Sequence, residues 1–354
     1  MRRILIKNGK VWDGEKFLSA DVYVEDGIVK SVSYSINAEA EFVYDANGAI
    51  VSAGLIDSHV HIRGLSNSST GLPESVFSPF GATAAVEAWA EKFDESAVNN
   101  YGLKILAYAG GWIEENRLTT ANAEKVLASL KDRAVGLKVC FDSRDCAVRD
   151  ITPVAQAVEF AEKHGLKVMV HSNRSPVPMM EIVKTLRKGD VLTHPYHGGI
   201  NSARDDDFAC LRYAREKGVV LDSGFAGHIH TDFSVFQEAL QKGCPPDSIS
   251  TDLTLFSAFK RGGRYGLTAC MSLAKHYGMD EESIFRAVTS TPANVYGKAH
   301  EWGYLRVGRI ADIAVIAYED DVFDLTDENG NRVCWDKGYR CKLTIVNGDV
   351  VFKD

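Results

Sequence analysis

Two histidines separated by a single residue follow an aspartate in the stretch GLIDSHVHIRG, residues 54–64. The apolar residues around them predict a buried strand, in which side chains two positions apart point to the same side. His59 and His61 therefore direct two imidazoles toward one point. Imidazole is the commonest metal ligand in proteins, so this spacing indicates one part of a metal site.

Further groups of similar chemistry stand at or near the ends of later apolar runs. These are Lys138 in AVGLKVCF, His171 in MVHSN, His194 in VLTHPYHGG and Asp252 in SISTDLT. A single buried histidine is usually an ordinary core residue, but several imidazoles and a carboxylate at successive strand ends predict a metal centre. Nitrogen and oxygen donors in this combination suit Zn²⁺, with Fe, Mn, Ni and Co as alternatives.

Lys138 differs from the rest of this set because an ammonium group has no lone pair. A lysine buried in an apolar strand loses its charge more readily. A neutral amine there could add CO₂ to give a carbamate, whose two oxygen atoms could bridge two metal ions. The alternative is a lysine with a buried stem and a charge that reaches solvent or a carboxylate. The position of Lys138 between His61 and His171 favours the carbamate.

Alternating strands and helices in the middle of the chain would position these groups. Apolar or β-branched runs predict strands at 54–60, 82–88, 103–109, 134–141, 167–172, 190–194, 218–223 and 248–252. Helical patterns occur at 121–132, 152–164, 178–188, 204–217 and 233–242. Eight such units favour an α/β fold, a (β/α)8 TIM-like barrel rather than an open sheet. In such a barrel, functional residues collect at the carboxyl ends of the strands.

Both ends of the chain read as short strands separated by turns such as Asn8-Gly9 and Asn347-Gly348, which are strong hairpin signals. We therefore expect the two termini to build one small β-sandwich domain from residues 1–51 and 303–354. The barrel would then occupy residues 52–302.

Composition narrows the class of protein. The 354 residues carry a formal net charge of −8 without a basic block, so nucleic acid is not an expected partner. No apolar run reaches the ~18 residues that span a bilayer, and the amino-terminal stretch is a poor signal peptide. Seven scattered cysteines without a C-x-x-C pair indicate reduced thiols. We expect a cytoplasmic protein that acts on a small molecule and binds no membrane.

The order of the motifs resembles the amidohydrolase superfamily, and in particular its amidohydrolase/deacetylase branch, often described as dihydroorotase-like. The resemblance rests on GLIDSHVHI, GLKV, MVHSN, LTH and ISTDL in succession. It extends to TPV at 152–154, RAVTSTPANVYG at 286–297 and LTDENGNR at 325–332. These motifs together cover nearly the whole chain.

The resemblance implies a pair of divalent metal ions, with Zn²⁺ favoured. It implies six ligands, each at or near a strand end: His59, His61, Lys138, His171, His194 and Asp252. The first two histidines would bind the more buried ion and the other two the second ion, with the carboxylated lysine as the bridge. Asp252 would contact the first ion and also act as the catalytic proton carrier.

The chain departs from similar proteins around the expected substrate, where PYHG and GHIHTDF replace other segments. We consider Arg63, His197 and His228 as substrate-binding candidates, with His230 as a further wall residue. Arg63 could hold a substrate carboxylate through its planar guanidinium group, or form a structural salt bridge near Asp57. Each of these histidines could equally be an ordinary polar loop residue.

These features predict a metal-dependent hydrolase that uses metal-activated hydroxide to cleave an amide or ester bond. The expected substrate is a small acyl compound, such as an N-acyl amino acid or an acylated hydroxy acid. Arg63 favours an alternative, a cyclic amide hydrolase of the dihydroorotase or hydantoinase kind. A non-catalytic scaffold protein is a third interpretation, which the complete ligand set disfavours. Because oligomers are common in the family, we also expect a homo-oligomer.

Overall fold

The computed structural model of the protein describes residues 2–67, 69–98, 102–144, 148–260 and 265–354. The strands are β1 (Arg3–Trp12), β2 (Phe17–Glu25), β3 (Ile28–Ser33), β4 (Phe42–Asp45), β5 (Ile50–Ala53), β6 (Leu55–Val60), β7 (Ala82–Ala90), β8 (Lys104–Glu114), β9 (Arg117–Thr119), β10 (Ala134–Cys140), β11 (Lys167–His171), β12 (Val191–Thr193), β13 (Val220–Asp222), β14 (Ile313–Thr326), β15 (Arg332–Val346) and β16 (Asp349–Lys353). The α-helices are α1 (Ala121–Leu130), α2 (Thr152–Lys163), α3 (Met179–Thr185), α4 (Ala209–Lys217), α5 (Phe233–Gln241), α6 (Leu255–Lys260), α7 (Leu267–His276), α8 (Glu281–Ala287) and α9 (Ser290–Val295). Within these described ranges, no helix combines the length and the apolar character that a membrane crossing requires.

Seven parallel strands form most of a barrel, in the order β6-β7-β8-β10-β11-β12-β13. The extended segment 248–253 fills the eighth position, bridged to β13 through Asp222 and Ser248 and to β6 through Val60 and Leu253. The barrel strands are apolar on both faces, as expected for a parallel sheet with helices outside and a packed interior. The predicted TIM-like barrel is therefore confirmed.

The predicted eighth strand at 248–252 forms isolated bridges because serine hydroxyl groups replace part of its hydrogen-bond ladder. The backbone N–H of Ser250 donates to Ser223 Oγ, and the backbone N–H of Gly224 donates to Ser250 Oγ, both at 2.9 Å. The segment still lies between β13 and β6 and carries its last residues to the mouth of the barrel.

Four of the five predicted helices match observed ones, namely α1, α2, α3 and α5, whereas α6 to α9 were not predicted. The predicted helix 204–217 divides into a short 3₁₀ turn, Ala203–Asp206, and α4. Asp207 and Phe208 separate the two because their φ angles of 52° and 61° lie in the left-handed region, which a continuous right-handed helix cannot contain.

The terminal strands form a second sheet in the order β16-β15-β14-β5-β1-β2-β3, with β4 beside β1. Val22 of β2 and Leu343 of β15 belong to one buried cluster although their strands lie far apart in this order. The sheet therefore folds over on itself as a small β-sandwich built from both ends of the chain, as predicted.

The terminal sheet and the barrel share part of their hydrophobic core. Trp12 at the end of β1 is fully buried in the same cluster as the barrel residues, and its Nε1–H donates to Thr289 Oγ1 at 3.0 Å. Six of the seven cysteines lie in the described ranges, where none of them forms a disulfide; the sequence favours buried thiols, but Cys140 and Cys334 are exposed. Cys146 lies outside those ranges.

Candidate metal centre

The six predicted ligands meet at the carboxyl ends of the barrel strands. They line one cavity of about 450 Å³: His59, His61, Lys138, His171, His194 and Asp252. The ring centroids of His59 and His194 are 4.9 Å apart, and one ligand atom each from these two residues and Asp252 lies within 4.8 Å of the others. Side chains from distant parts of the sequence are therefore close enough to share an ion.

His59 is oriented by partners behind its ring. Its Nδ1 lies 2.9 Å from Thr193 Oγ1 and 3.2 Å from Asp222 Oδ2. Burial would raise the pKa of Asp222, but the hydrogen bonds from His59, Ser250 and Thr193 lower it. Because an ionised Asp222 only accepts hydrogen bonds, the ring proton belongs on Nδ1. The lone pair on Nε2 then faces the cavity, as in other carboxylate–histidine–metal arrangements.

His61 has the same type of support. Its Nδ1 lies 2.9 Å from Ser66 Oγ and 3.3 Å from Glu87 Oε1, while its Nε2 lies 3.1 Å from Asp252 Oδ1. Burial lowers the pKa of His61, but Asp252 and Glu87 outweigh burial and raise it to about 10. Without an ion, both ring nitrogens of His61 therefore carry a proton at neutral pH. Metal binding would displace the proton on Nε2.

His194 is held by a backbone group. Its Nδ1–H donates to the carbonyl oxygen of Gly224 at 2.7 Å, which again leaves Nε2 free to bind an ion. The residue has a φ of 61°, a left-handed conformation that costs about 1–2 kcal/mol for a residue with a side chain. Such strain is often found at functional sites, where the surrounding structure holds the residue in place.

Asp252 also has a left-handed backbone, with a φ of 49°. Its backbone N–H donates to His59 O at 2.7 Å. Its neighbour Thr251 donates to the buried Asp57 through the backbone N–H at 3.0 Å and the hydroxyl at 2.7 Å. Burial raises the pKa of Asp57 to about 7. Asp57 therefore fixes the segment that carries Asp252.

The charge of Asp252 is stabilised by the imidazoles around it. Burial would raise its pKa, but His59 and His61 outweigh this effect and hold the pKa well below the ordinary value. The carboxylate is therefore ionised and can accept a proton or contact a cation.

Two buried polar atoms among the described residues have no hydrogen-bond partner at this centre: Lys138 Nζ and His171 Nε2. Unsatisfied buried polar atoms are rare in native proteins and call for an unseen partner. Burial also lowers the pKa of Lys138 to about 8, which makes its neutral amine accessible. The donor set and these two atoms fit a carbamate and divalent ions.

His230 is a residue of the centre that sequence reasoning placed only in the substrate wall. Its ring centroid lies 4.3 Å from that of His194 and 4.7 Å from that of His171, and the three offer ligand atoms within 4.8 Å of one another. The H-x-H spacing of His228 and His230 was the available signal. These two histidines lie in the loop after β13. A loop has no strand alternation that would show which of the two points inward.

Arg63 does not line the cavity, among the residues described, and its side chain is exposed. The reason is a turn at this point, since the backbone N–H groups of Leu65 and Ser66 both donate to Ile62 O. The alternation that directs His59 inward therefore stops before Arg63, and the predicted carboxylate clamp is not at the centre.

The other two predicted substrate-binding residues also lie elsewhere. His197 is fully buried, its Nδ1 accepts a hydrogen bond from the backbone N–H of Gly199 at 3.2 Å, and burial lowers its pKa to about 3. His228 lines a separate cavity of about 580 Å³ with Tyr265 and Phe323. The structure does not bring either residue to the metal centre.

The described walls of the central cavity are partly aromatic and partly charged. Trp89 and Trp112 form an edge-to-face pair with centroids 5.3 Å apart. Asp142 and Arg144 follow β10 and form the charged part of the wall. They are an ion pair, in which Arg144 Nε lies 2.8 Å from Asp142 Oδ2. Cys140 also lines the cavity.

Comparison with known proteins assigns the chain to a family. The model of the amidohydrolase family matches residues 50–351, and the chain belongs to that family. A deacetylase from Enterococcus faecalis is 28% identical to it, over 98% of each chain. A deacetylase from Brucella anthropi is 27% identical, over 94% of this chain and 88% of the relative.

A solved structure gives the same result at the level of the fold. A dihydroorotase crystal structure superposes with a TM-score of 0.84 at 26% identity, covering 100% of this chain and 98% of the other. Together with the family match and the hydrolase names of the relatives, this similarity identifies the protein as a hydrolytic enzyme. Its clustered histidines are consistent with the metal dependence of the family.

Proposed function

We propose that the protein is a metal-dependent hydrolase that removes the acyl group from a small N-acyl amino acid or acylated hydroxy acid. The observation that carries this proposal is the orientation of His59, His61 and His194. Each is bonded at Nδ1 and directs Nε2 into one cavity beside Asp252. The deacetylases that match nearly the whole chain support the choice of an acyl substrate.

The proposed ligands of two divalent ions, with Zn²⁺ favoured by the donors, are His59, His61, Lys138 as its carbamate, His171, His194 and Asp252. Such ions, when bound, polarise a carbonyl oxygen and lower the pKa of water from 15.7 to about 7. Lys138 Nζ and His171 Nε2 support this assignment, because neither makes a hydrogen bond to a described protein atom, although Asp142 Oδ2 lies 3.7 Å from His171 Nε2.

Asp252 is placed to move the proton. Its Oδ1 lies 3.1 Å from His61 Nε2 and 3.4 Å from His59 Nε2, and these neighbours keep it ionised. An ionised carboxylate at this position accepts the proton of the attacking water and returns it to the leaving nitrogen or oxygen.

The walls supply the remaining contacts. Trp89 and Trp112 offer an apolar surface for the acyl group. Arg144, whose side chain is 53% exposed at the cavity, offers the planar donor that a substrate carboxylate prefers. Arg144 would then bind the substrate carboxylate, which is the role predicted for Arg63 from the sequence. A cavity of about 450 Å³ lies within the ordinary range for small-molecule sites.

The proposal is tested by assaying protein reconstituted with Zn²⁺ and bicarbonate. The panel contains N-acetyl amino acids of both configurations, O-acetyl hydroxy acids, and the cyclic amides dihydroorotate and hydantoin. We expect acetate release that requires metal. A fully metallated protein that hydrolyses no acyl substrate on the panel would contradict the proposal. A purified protein that binds no metal under these conditions would favour the scaffold interpretation.

A cyclic amide hydrolase is the second candidate, because the superposed structure is a dihydroorotase with a TM-score of 0.84. The exposed position of Arg63 weighs against it, since that residue was the feature of the sequence that favoured a cyclic substrate. Turnover confined to the cyclic amides on the same panel would establish this second candidate instead.

A further inference from the structure

His230 differs from three other histidines of the centre in what its Nδ1 contacts. His59, His61 and His194 place Nδ1 against hydrogen-bond acceptors. His230 Nδ1 instead lies 2.9 Å from Asn173 Nδ2, which is a donor. A ring nitrogen that accepts a hydrogen bond carries no proton, so the proton of a neutral ring lies on the other nitrogen.

The orientation of the Asn173 amide is fixed by its other neighbours. Its Nδ2 also lies 3.2 Å from the carbonyl oxygen of Ile229 and 3.3 Å from Glu328 Oε2, so its two N–H groups are shared among three acceptors, while its Oδ1 is buried without a hydrogen-bond partner among the described atoms. The carbonyl oxygen of Ile229 can only accept a hydrogen bond. The same holds for Glu328 Oε2 when this carboxylate is ionised. An amide turned the other way would place its oxygen against a carbonyl and a carboxylate. Glu328 and Ile229 therefore hold Nδ2 toward His230.

Glu328 reaches this position from the terminal sheet. It lies in the turn between β14 and β15, which docks on the loop that carries His230: the backbone N–H of Glu328 donates to Thr231 O at 3.0 Å. Its Oε1 accepts a hydrogen bond from the backbone N–H of Gly198. A second contact of the same turn, from Asn329 Nδ2 to Asp232 Oδ2 at 2.7 Å, anchors the turn without touching Asn173.

His230 Nε2 faces the reaction centre. It lies 3.7 Å from Asp252 Oδ2, beyond a direct hydrogen bond, and the ring stands beside those of His171 and His194. An Nε2–H group at this place has no lone pair for an ion. It can donate to an oxygen atom of a substrate that occupies the cavity.

We propose that His230 is a hydrogen-bond donor to the substrate oxygen on which negative charge develops, and not a metal ligand. We further propose that Glu328 is a positioning residue that sets the His230 tautomer through Asn173. The chemical consequence rests on the proposed hydrolase function, whereas the tautomer and the metal content can be measured without it.

The first test reads the tautomer directly. In protein with ¹⁵N-labelled histidine, loaded with Zn²⁺, long-range ¹H–¹⁵N spectra assigned with a His230→Gln variant should show His230 protonated at Nε2 only. In parallel samples, the zinc content of the His230→Gln variant should match that of the wild type, whereas the His171→Gln variant should lose zinc. A His230 ring with Nε2 unprotonated, or loss of zinc in His230→Gln, would overturn the proposal.

The second test reverses the tautomer without removing the ring. Asn173→Asp combined with Glu328→Gln keeps the net charge and lets residue 328 donate to residue 173, at the loss of the contact to Ile229. The aspartate then accepts from His230 Nδ1–H. We expect kcat to fall roughly 10²- to 10³-fold, the usual effect of removing one oxyanion donor, with zinc content unchanged.

Matched variants separate this role from simple support of the loop. Asn329→Ala removes a hydrogen bond of the same turn and should leave kcat within about twofold, which is within ordinary surface effects. A wild-type kcat in the variant that combines Asn173→Asp with Glu328→Gln would show that Glu328 only supports the loop. That result would overturn the proposal. If the wild type hydrolyses nothing on the panel, the tautomer and zinc readouts still decide the inference, whereas the proposed function fails.

Discussion

At the level of single residues, the centre depends on groups whose protonation is set by their surroundings. His59 and His61 are bonded at Nδ1 to partners that leave Nε2 toward the cavity, and Asp252 is kept ionised by those two rings. Each state follows from neighbours contributed by other strands. The side chains are therefore preorganised for an ion before one arrives.

Asp252→Asn removes the proton acceptor but keeps the size of the side chain. We expect hydrolysis to become undetectable, because an amide cannot accept the proton and return it, while the histidines retain at least part of the metal. The measurement is kcat together with zinc content. A variant with near-normal kcat would remove Asp252 from proton transfer.

Lys138 predicts a pH dependence of metal reconstitution. With a pKa of about 8, its amine is about 1% neutral at pH 6 and about half neutral at pH 8. Only the neutral form adds CO₂, so at constant dissolved CO₂ the reconstitution rate should rise through this range and level off above it. Zinc uptake by metal-free protein measures the rate. A Lys138→Gln control should show neither the uptake nor this rise, and a flat profile in the wild type would contradict the carbamate.

Arg144→Gln tests the contact proposed for the substrate carboxylate. Loss of the planar cation should raise KM by roughly tenfold or more for substrates with a free carboxylate, since a charged hydrogen bond contributes about 1.5–3 kcal/mol. The matched substrates are the same compounds with the carboxylate converted to an amide. Their KM should not change, and an equal rise for both sets would assign Arg144 a structural role instead.

At the level of elements, the mouth of the barrel is shaped by irregular backbone after the strands. Gly224, just beyond β13, accepts the hydrogen bond that orients His194 and has a φ of +46°. A Cβ atom there would lie 2.5 Å from His194 Nδ1 and 2.6 Å from Thr193 Oγ1. The glycine is therefore required by both the backbone and the neighbouring ring.

Gly224→Ala should displace the His194 ring and weaken zinc binding by about 10- to 100-fold, the usual effect of losing an outer partner of a metal ligand. Zinc affinity by chelator competition measures this, with circular dichroism to verify the fold. Gly243→Ala is the control, since that glycine has a φ of +73° and no described atom within 4 Å of the added Cβ. Equal zinc affinities in the two variants would contradict a role of Gly224 in positioning the His194 ring.

Elements with a regular period were predictable, and irregular ones were not. His59 and His61 lie on a strand whose alternation shows where both side chains point, and Lys138, His171 and His194 lie on or directly after later strands. Arg63 continues the same spacing, but the chain turns at Ile62, where a segment rich in serine and glycine begins.

Residues in the longer loops carry no period at all. His197, His228 and His230 lie beyond the strands, and the structure brings only His230 to the centre. The partners that orient it, Asn173 and Glu328, come from β11's loop and the β14–β15 turn. Such long-range hydrogen bonds follow from the packing of two domains, so the sequence of each segment alone could not indicate them.

At the level of the whole molecule, the terminal sheet is part of the barrel's structure. Trp12 of β1 lies in the barrel's hydrophobic cluster, and the β14–β15 turn contacts the loop that bears His230. The two ends of the chain therefore support the mouth as well as the body of the barrel.

Trp12→Ala should lower the free energy of unfolding by about 3–5 kcal/mol, the range for deleting a buried aromatic side chain. Urea denaturation, followed by fluorescence and by circular dichroism, measures the loss. Tyr34→Ala is the control, because Tyr34 is 85% exposed and its removal should change stability by less than about 0.5 kcal/mol. A loss as small as in the control would contradict a shared core.

Anomalous X-ray scattering at the zinc edge, from crystals grown with Zn²⁺ and bicarbonate, tests the metal centre most directly. We expect two peaks among the side chains of His59, His61, His171, His194 and Asp252, with electron density extending past Lys138 Nζ as a carboxylate. A cavity without an anomalous peak, or bound zinc beside an unmodified Lys138, would contradict the carbamate-bridged pair.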